Sequence, residues 1–343
     1  MAKKLVTVFG GNGFVGRHIV QRLAAAGHRV RVACRDPETA IFLKPLGDPG
    51  QIVPIKANVA REDEVARAVK GADWVVNCAG ILTAHGRNSF ANVHEVGSAT
   101  VAREALAAGA TALVHFSALC ADEDAPSKYA QTKARGEQAV REAYPDATIL
   151  KPSIIIGSED GFFNRFAAIA RWSPVVPIIG CPIMPTFKMT PGTDSQWRFP
   201  TFEFCDFAGT RFQPVFVGDV AQACVNALSQ DSAKGEVFEI TGPRVYTFRA
   251  LMELMLNETR RSRMVVPYPV PMAYITAFFA EMIPGKPFSR DMVYMLKTTN
   301  ILTGEQKTIK DLGVNPSGIE AILPTYLRSY RSPSKRRLRA GRA

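Results

Sequence analysis

The chain opens on a short apolar run, Leu5–Phe9, that ends in glycines and reads as a strand. Behind it, Phe14–Ala26 places apolar residues at helical spacing and stops at Gly27, a good helix terminator. The alternation then repeats. Arg29–Cys34 and Ile52–Lys56 read as strands, Glu62–Lys70 as a charged helix and Trp74–Asn77 as a strand. Gly97–Ala108 is helical, Ala112–Ser117 a strand, Lys128–Ala143 helical and Thr148–Pro152 a strand. Runs of Val and Ile without polar alternation suit strands covered by helices on both faces. Alternation of strands and helices predicts a parallel sheet with βαβ crossovers, here over residues 1–160.

The remainder, 161–327, is less regular and reads as a smaller C-terminal α/β portion interleaved with the sheet. Between Pro174 and about Phe212 the chain is rich in Pro, Gly, Thr and aromatics, which predicts a long irregular excursion. Val217–Leu228 reads as a helix, Val237–Thr241 as a strand and Phe248–Asn257 as a helix. The alternating prolines of Pro267–Pro271 predict a break, and Ala273–Ile283 a hydrophobic helix. That apolar stretch contains Glu281 and ends at Pro284-Gly285, so it is too short to span a bilayer but could lie on one.

Charge and cysteine usage narrow the classes. Net charge is +11, and much of it sits at one end: Arg328, Arg331, Lys335, Arg336, Arg337, Arg339 and Arg342 stand among the last residues without an acid. Such a tail, 328–343, is expected to be disordered and to touch something acidic. No nucleic acid is expected, because the body is only mildly basic and carries no helix-turn-helix or base-stacking motif. The six cysteines form no Cys-x-x-Cys pair, so no metal is expected, and free thiols suit a reducing cytoplasm. No signal peptide is visible.

The chemistry is concentrated at strand ends. Gly10, Gly13 and Gly16, spaced G-x-x-G-x-x-G, lie between the first strand and the first helix. Glycines there allow a tight turn, a close approach of backbone to a pyrophosphate, and close helix–strand packing. The amides that open the helix, at Phe14, Val15 and Gly16, would face the anion. The expected fold is thus a Rossmann-type doubly wound sheet binding a dinucleotide. Dinucleotide binders for NAD carry an acid at the end of the second strand; here Cys34 is followed by Arg35, and Arg17 follows the last loop glycine. Two guanidiniums favour a 2′-phosphate, hence NADPH, while Asp36 keeps NADH as the less favoured choice. Asn58 follows the third strand and is placed to reach adenine. Ala79 and Gly80 follow the fourth, where small residues let a cofactor approach. Ser117 ends the fifth strand. Tyr129 and Lys133, four apart on one helical face, could use the ammonium to make the phenol an acid or base.

These motifs, with Lys151-Pro152-Ser153 and the Val217-Gly218-Asp219-Val220 helix start, resemble the extended and atypical short-chain dehydrogenases/reductases of the NAD-dependent epimerase/dehydratase type. More closely, the chain is similar to the NADPH-binding accessory subunits of respiratory complex I (NADH:ubiquinone oxidoreductase), in a bacterial form. Gly13–Arg17, Pro45–Gln51, Lys128-Tyr129 through Gly136-Glu137, Pro267–Pro271 and Ser289-Arg290-Asp291 carry that similarity. The resemblance implies an NADPH held structurally rather than turned over, in a subunit of the electron-transport chain docked on the peripheral arm near the membrane. It implies other complex I subunits as partners, with a membrane surface as a further contact. The location implied is peripheral, on the cytoplasmic side of a bacterial inner membrane. Phosphate contact falls to Gly10, Gly13 and Gly16, 2′-phosphate contact to Arg17 and Arg35, and nicotinamide-ribose contact to Tyr129 and Lys133, with Pro152 beside the cofactor. One departure is His94, which stands where active extended dehydrogenases place an asparagine in Val-Asn-Val-x-Gly-Thr; it reads as a helix-face histidine. The alternative is a free NADPH-dependent reductase, epimerase or dehydratase using Ser117, Tyr129 and Lys133. A sensor of NADP(H) acting through the basic tail is a third, weaker reading.

Overall fold

The computed structural model describes residues 3–84, 86, 88–180, 209–283 and 288–331. The chain divides into two compact units. The first gathers residues 1–160, 213–244 and 300–322, and the second 161–212, 245–299 and 323–343.

The first unit is built on an eight-stranded sheet in which every neighbouring pair is parallel. Its first six strands are β1 Leu5–Phe9, β2 Arg29–Cys34, β3 Ile52–Lys56, β4 Trp74–Asn77, β5 Ala112–Phe116 and β6 Thr148–Pro152. Val237–Ile240 and Lys307–Thr308 extend it, giving the order 307–308, 237–240, β6, β5, β4, β1, β2, β3. The helices α1 Phe14–Ala25, α2 Glu62–Val69, α3 Gly97–Ala107 and α4 Lys128–Ala143 connect the strands, with Val217–Ser229 later in the chain. All lie within a residue or two of the positions expected from periodicity.

Alternation along each strand sends side chains to two cores. Val6, Val8, Trp74, Val76, Val114 and Phe116 pack with Ile19, Val20 and Leu23 of α1 and with Val220, Ala223 and Cys224 of the 217–229 helix. Phe9, Val75, Leu113 and Ile149 pack on the other face with Val65 of α2, Val101 and Ala105 of α3 and Val140 of α4. Both faces are dry, which is why these strands read as unbroken apolar runs. The order β5-β4-β1-β2-β3 reverses direction between β1 and β4. In an open α/β sheet the crevice beyond the strand ends at this reversal is where ligands bind.

The second unit has its own core. Phe162, Phe166, Phe212 and Phe248 meet at ring-centroid separations of 5.3–6.2 Å. Two expectations are corrected here. Val175–Ile179, inside the stretch read as irregular, is a strand paired in parallel with Met264–Tyr268. The proline-rich segment therefore carries a strand, and the helix following it starts at Val270 and ends at Ala280. Pro267 lies in that two-stranded ribbon, where an edge position tolerates a missing donor. Arg211–Phe212 also pairs with Tyr246–Thr247. The rest of the expected excursion, 181–208, lies outside the described residues. Of the expected basic tail, Arg328–Tyr330 form a 3-10 turn and Arg331 is tied to Glu258 through its carbonyl (2.8 Å) and carboxylate (3.3 Å). Residues 332–343 lie outside the described residues.

Candidate nucleotide site

The loop between β1 and α1 can close only with glycine at two positions. Gly10 has φ +74°, and a Cβ there would stand 3.0–3.1 Å from the Cys78 carbonyl and the Ala79 backbone. A Cβ on Gly16 would overlap the Gly10 carbonyl and the Gly11 Cα. The loops after β1 and β4 thus meet backbone to backbone at the sheet's reversal point. Gly13 caps α1 with no side chain, and the first turn holds no acid. The opening amides of α1 are therefore in the state an anion site requires, with the positive end of the helix dipole uncancelled.

Around the loop, Arg17 turns back on the helix start. Its Nε donates to the Gly13 carbonyl and its Nη2 to the Asn12 carbonyl, both at 3.3 Å. Its Nη1 lies 3.7 Å from Glu159, and its guanidinium stands 4.9 Å from the Phe42 ring centre. Glu159 also meets His18 at 3.3 Å. Arg35 is exposed. Asp36 uses its carboxylate to accept from the Glu38 amide, capping the 3-10 segment Pro37–Leu46. Asn58 spends its side-chain oxygen on the Ala60 amide at 3.1 Å, which fixes the turn after β3.

After β4, Asn77 is buried and organises the next residues. Its Oδ1 accepts from the Ala79 amide (3.2 Å), while its amide faces Ser98 and His115 at 3.3 and 3.2 Å. Gly80 looks toward Lys133 Nζ and His94 Nε2, 3.6 and 3.7 Å from where its Cβ would be.

The strand-five and helix-four residues come together here. Lys133 is 5% exposed and donates to the Phe116 carbonyl at 2.8 Å. Burial holds its pKa down at about 8, against an opposing pull from the Cys120 and Cys78 thiols. Ser117, next in chain after Phe116, is buried, and its hydroxyl has no hydrogen-bond partner among the described residues. Tyr129 sits half-buried on α4, its ring perpendicular to that of His94 at 5.4 Å. Pro152 ends β6, buried, and its carbonyl accepts from the Leu119 amide.

His94, read as a helix-face histidine, lies on a π-helical turn, Ala91–Val96, that precedes α3, and it is buried. Its Nε2 accepts from the Ile81 amide at 3.1 Å, so the proton sits on Nδ1, which donates to Thr132 Oγ1 at 3.0 Å. Thr132 in turn donates to the Lys128 carbonyl. Burial, then the Lys133 charge, push the His94 pKa down to about 3. Both ring nitrogens are committed, so this imidazole ties the β4 loop to α4 and has no lone pair left for chemistry. A Cβ on Gly136 would strike the His94 carbonyl, which is how α4 approaches the π turn so closely. Phe42, Glu159 and Thr132 escape a reading of the sequence because each meets a partner far away in the chain.

A cradle of glycines, an uncapped helix start and a buried orphan hydroxyl suit a dinucleotide lying across the crevice. Residues 10–163 match the NAD(P)H-binding family model. The chain is 32% identical over 341 residues to the Arabidopsis thaliana protein named NADH dehydrogenase (ubiquinone) 1 alpha subcomplex subunit 9, mitochondrial, covering 95% of this chain and 78% of that one. The chain belongs to the alpha subcomplex subunit 9 family. Its Mus musculus member is 29% identical over 333 residues, covering 96% of this chain and 81% of the relative. Among solved structures, the UDP-glucose 4-epimerase of Thermotoga maritima, determined with UDP-glucose, superposes with a TM-score of 0.65 at 18% identity over 95% of this chain and 99% of that one. That likeness shows the fold. Among the described residues, no group of His, Cys, Asp and Glu could hold a metal ion, and no helix is long and apolar enough to cross a membrane.

Proposed function

We propose that this chain is an NADPH-holding, non-catalytic accessory subunit of NADH:ubiquinone oxidoreductase, stabilising the peripheral arm beside the membrane. The observation that carries the reading is similarity to subunits of that complex along nearly the whole chain, well beyond the nucleotide-binding segment. The amides of Phe14, Val15 and Gly16, with Gly10 and Gly13, hold the diphosphate. Arg17 and Arg35 take the 2′-phosphate, Asn58 lies toward adenine, and Ala79, Gly80 and Pro152 border the nicotinamide half. Tyr129 and Lys133 hold the nicotinamide ribose. When bound, the nicotinamide ring supplies hydride-transfer capacity. The arginines at the two ends of this region, Arg17 at the helix start and exposed Arg35 after β2, support NADPH over NADH, since forked donors suit a 2′-phosphate.

The exposed apolar residues Met272, Ile275, Phe278 and Phe279 along Val270–Ala280, with Met282 and Ile283, support contact with a membrane surface, on the cytoplasmic side in a bacterial cell. Purification from membranes tests the assignment: the tagged chain is expected to bring down other subunits of the quinone reductase, with one NADPH released and identified by mass. Recovery of the chain alone, in the membrane-free fraction, would count against it.

A second reading is favoured by one specific observation, the buried Ser117 hydroxyl, without a partner among the described residues, next to the carbonyl that holds Lys133. In that reading Ser117, Tyr129 and Lys133 bind and protonate a substrate carbonyl. NADPH oxidation by carbonyl substrates, abolished by Tyr129→Phe, would establish it and displace the first.

A further inference from the structure

The segment Asp36–Leu46 follows β2 and runs beside the glycine loop. Thr39 ties it there, accepting from the Asn12 side-chain amide at 2.9 Å and donating to the Asp36 carbonyl at 2.6 Å. Three residues on, Phe42 leaves 47% of its surface in solvent. The Arg17 guanidinium stands over that ring. The ring supports one face of the guanidinium, while the Asn12 and Gly13 carbonyls hold its Nη2 and Nε. Arg17 is thus fixed between the glycine loop and the end of β2, the place where dinucleotide sites meet the ribose 2′ position.

An arginine on a flexible stem loses rotamer freedom when it takes a phosphate. One already stacked and held loses less; with Nε and one Nη2 hydrogen on backbone carbonyls, the outer Nη1 and Nη2 hydrogens are left for the phosphate, which takes over the Nη1 edge that now lies 3.7 Å from Glu159. We propose that Phe42 is a specificity-determining residue: by stacking under Arg17 it pre-positions the guanidinium for a 2′-phosphate, and so separates NADPH from NADH. The inference rests on the NADPH reading above.

The weight of the contact follows from its exposure, because a cation over a half-solvated ring contributes about a two- to fivefold preference. The test is fluorescence titration of the full chain with NADPH and with NADH, for the unaltered protein, Phe42→Ala, Phe42→Leu and Arg17→Ala. Phe42→Ala is expected to weaken NADPH about two- to fivefold and leave NADH unchanged. Phe42→Leu keeps the apolar bulk and loses the π face, and is expected to follow Phe42→Ala. Arg17→Ala is expected to weaken NADPH further, and by more than it weakens NADH, because the same side chain also holds the Asn12 and Gly13 carbonyls of the glycine loop. Equal weakening of both nucleotides, or no change in either, would overturn the inference and leave Phe42 a packing residue. An unaltered chain with no preference for NADPH sinks the cofactor reading and this inference together. A preference that survives intact in Phe42→Ala sinks this inference alone.

Discussion

At Gly16 a single methyl group decides whether the loop can exist. A Cβ there would overlap the Gly10 carbonyl, whereas one on Gly13 would stand 3.1 Å from the same oxygen. Gly16→Ala is therefore expected to destabilise the first unit by about 1–3 kcal/mol or more, read as a fall in melting temperature. Gly13→Asp is expected to leave the melting temperature nearly unchanged and to cut nucleotide affinity by about tenfold or more, since it sets a carboxylate at the anion site. Unchanged affinity in Gly13→Asp would refute the diphosphate cradle. Titration belongs to this scale too. Lys133 is charged at neutral pH and loses its proton near pH 8. If its ammonium grips the ribose, affinity falls as pH rises through about 8, and Lys133→Met flattens that curve. His94 stays neutral above about pH 3, so no inflection in binding is expected near pH 6.5.

At the scale of elements, α4 and the π turn before α3 form one device. Gly136 lets them touch, and His94 and Thr132 bind them across the contact. Gly136→Ala is expected to push α4 outward, costing about 1–3 kcal/mol and weakening nucleotide binding through displaced Tyr129 and Lys133. Retained affinity at wild-type stability would show that α4 has slack. The helix Val270–Ala280 is the other element with a predicted consequence. Ala273 and Ala277 are buried while Ile275 and Phe279 are about 60% exposed, so its large residues point away from its own unit. Ile275→Asp with Phe279→Asp is expected to abolish flotation with anionic vesicles without lowering the melting temperature. Flotation at the wild-type level would remove the membrane contact from the reading.

For the whole molecule, acid is the informative stress. His94 and His115 are buried and neutral, both with pKa values pushed below the ordinary 6.5 by burial first and then by the Lys133 charge. The unfolded chain takes up protons at these positions below about pH 6.5 and the folded chain does not. Their contribution to stability is complete above about 6.5 and is lost as pH falls below it, for His94 down to about 3. Chemical denaturation should show stability falling as pH drops below about 6.5, with the unfolded chain taking up the two protons that the fold refuses. His94→Gln should remove about half of the slope, and a slope unaffected by that change would mean the imidazole is charged in the fold.

The amino-acid order alone determined the parallel sheet, its flanking helices and the glycine loop, because those depend on periodicity and on turns spanning a few residues. Leu5–Phe9, Gly10–Gly16 and α1 are contiguous, so their geometry is written locally. Tyr129 and Lys133 were legible for the same reason, being one helical turn apart. Only the tertiary structure decided that Glu159 and Phe42 meet Arg17, that His94 is buried with both nitrogens bonded, that Ser117 finds no partner among the described residues, and that Val175–Ile179 pairs with Met264–Tyr268. These facts depend on which distant segments the packing of the core brings together. Hydrogen bonds and ring contacts act over a few ångströms of space, and distance in space carries no signature in the spacing of residues along a chain.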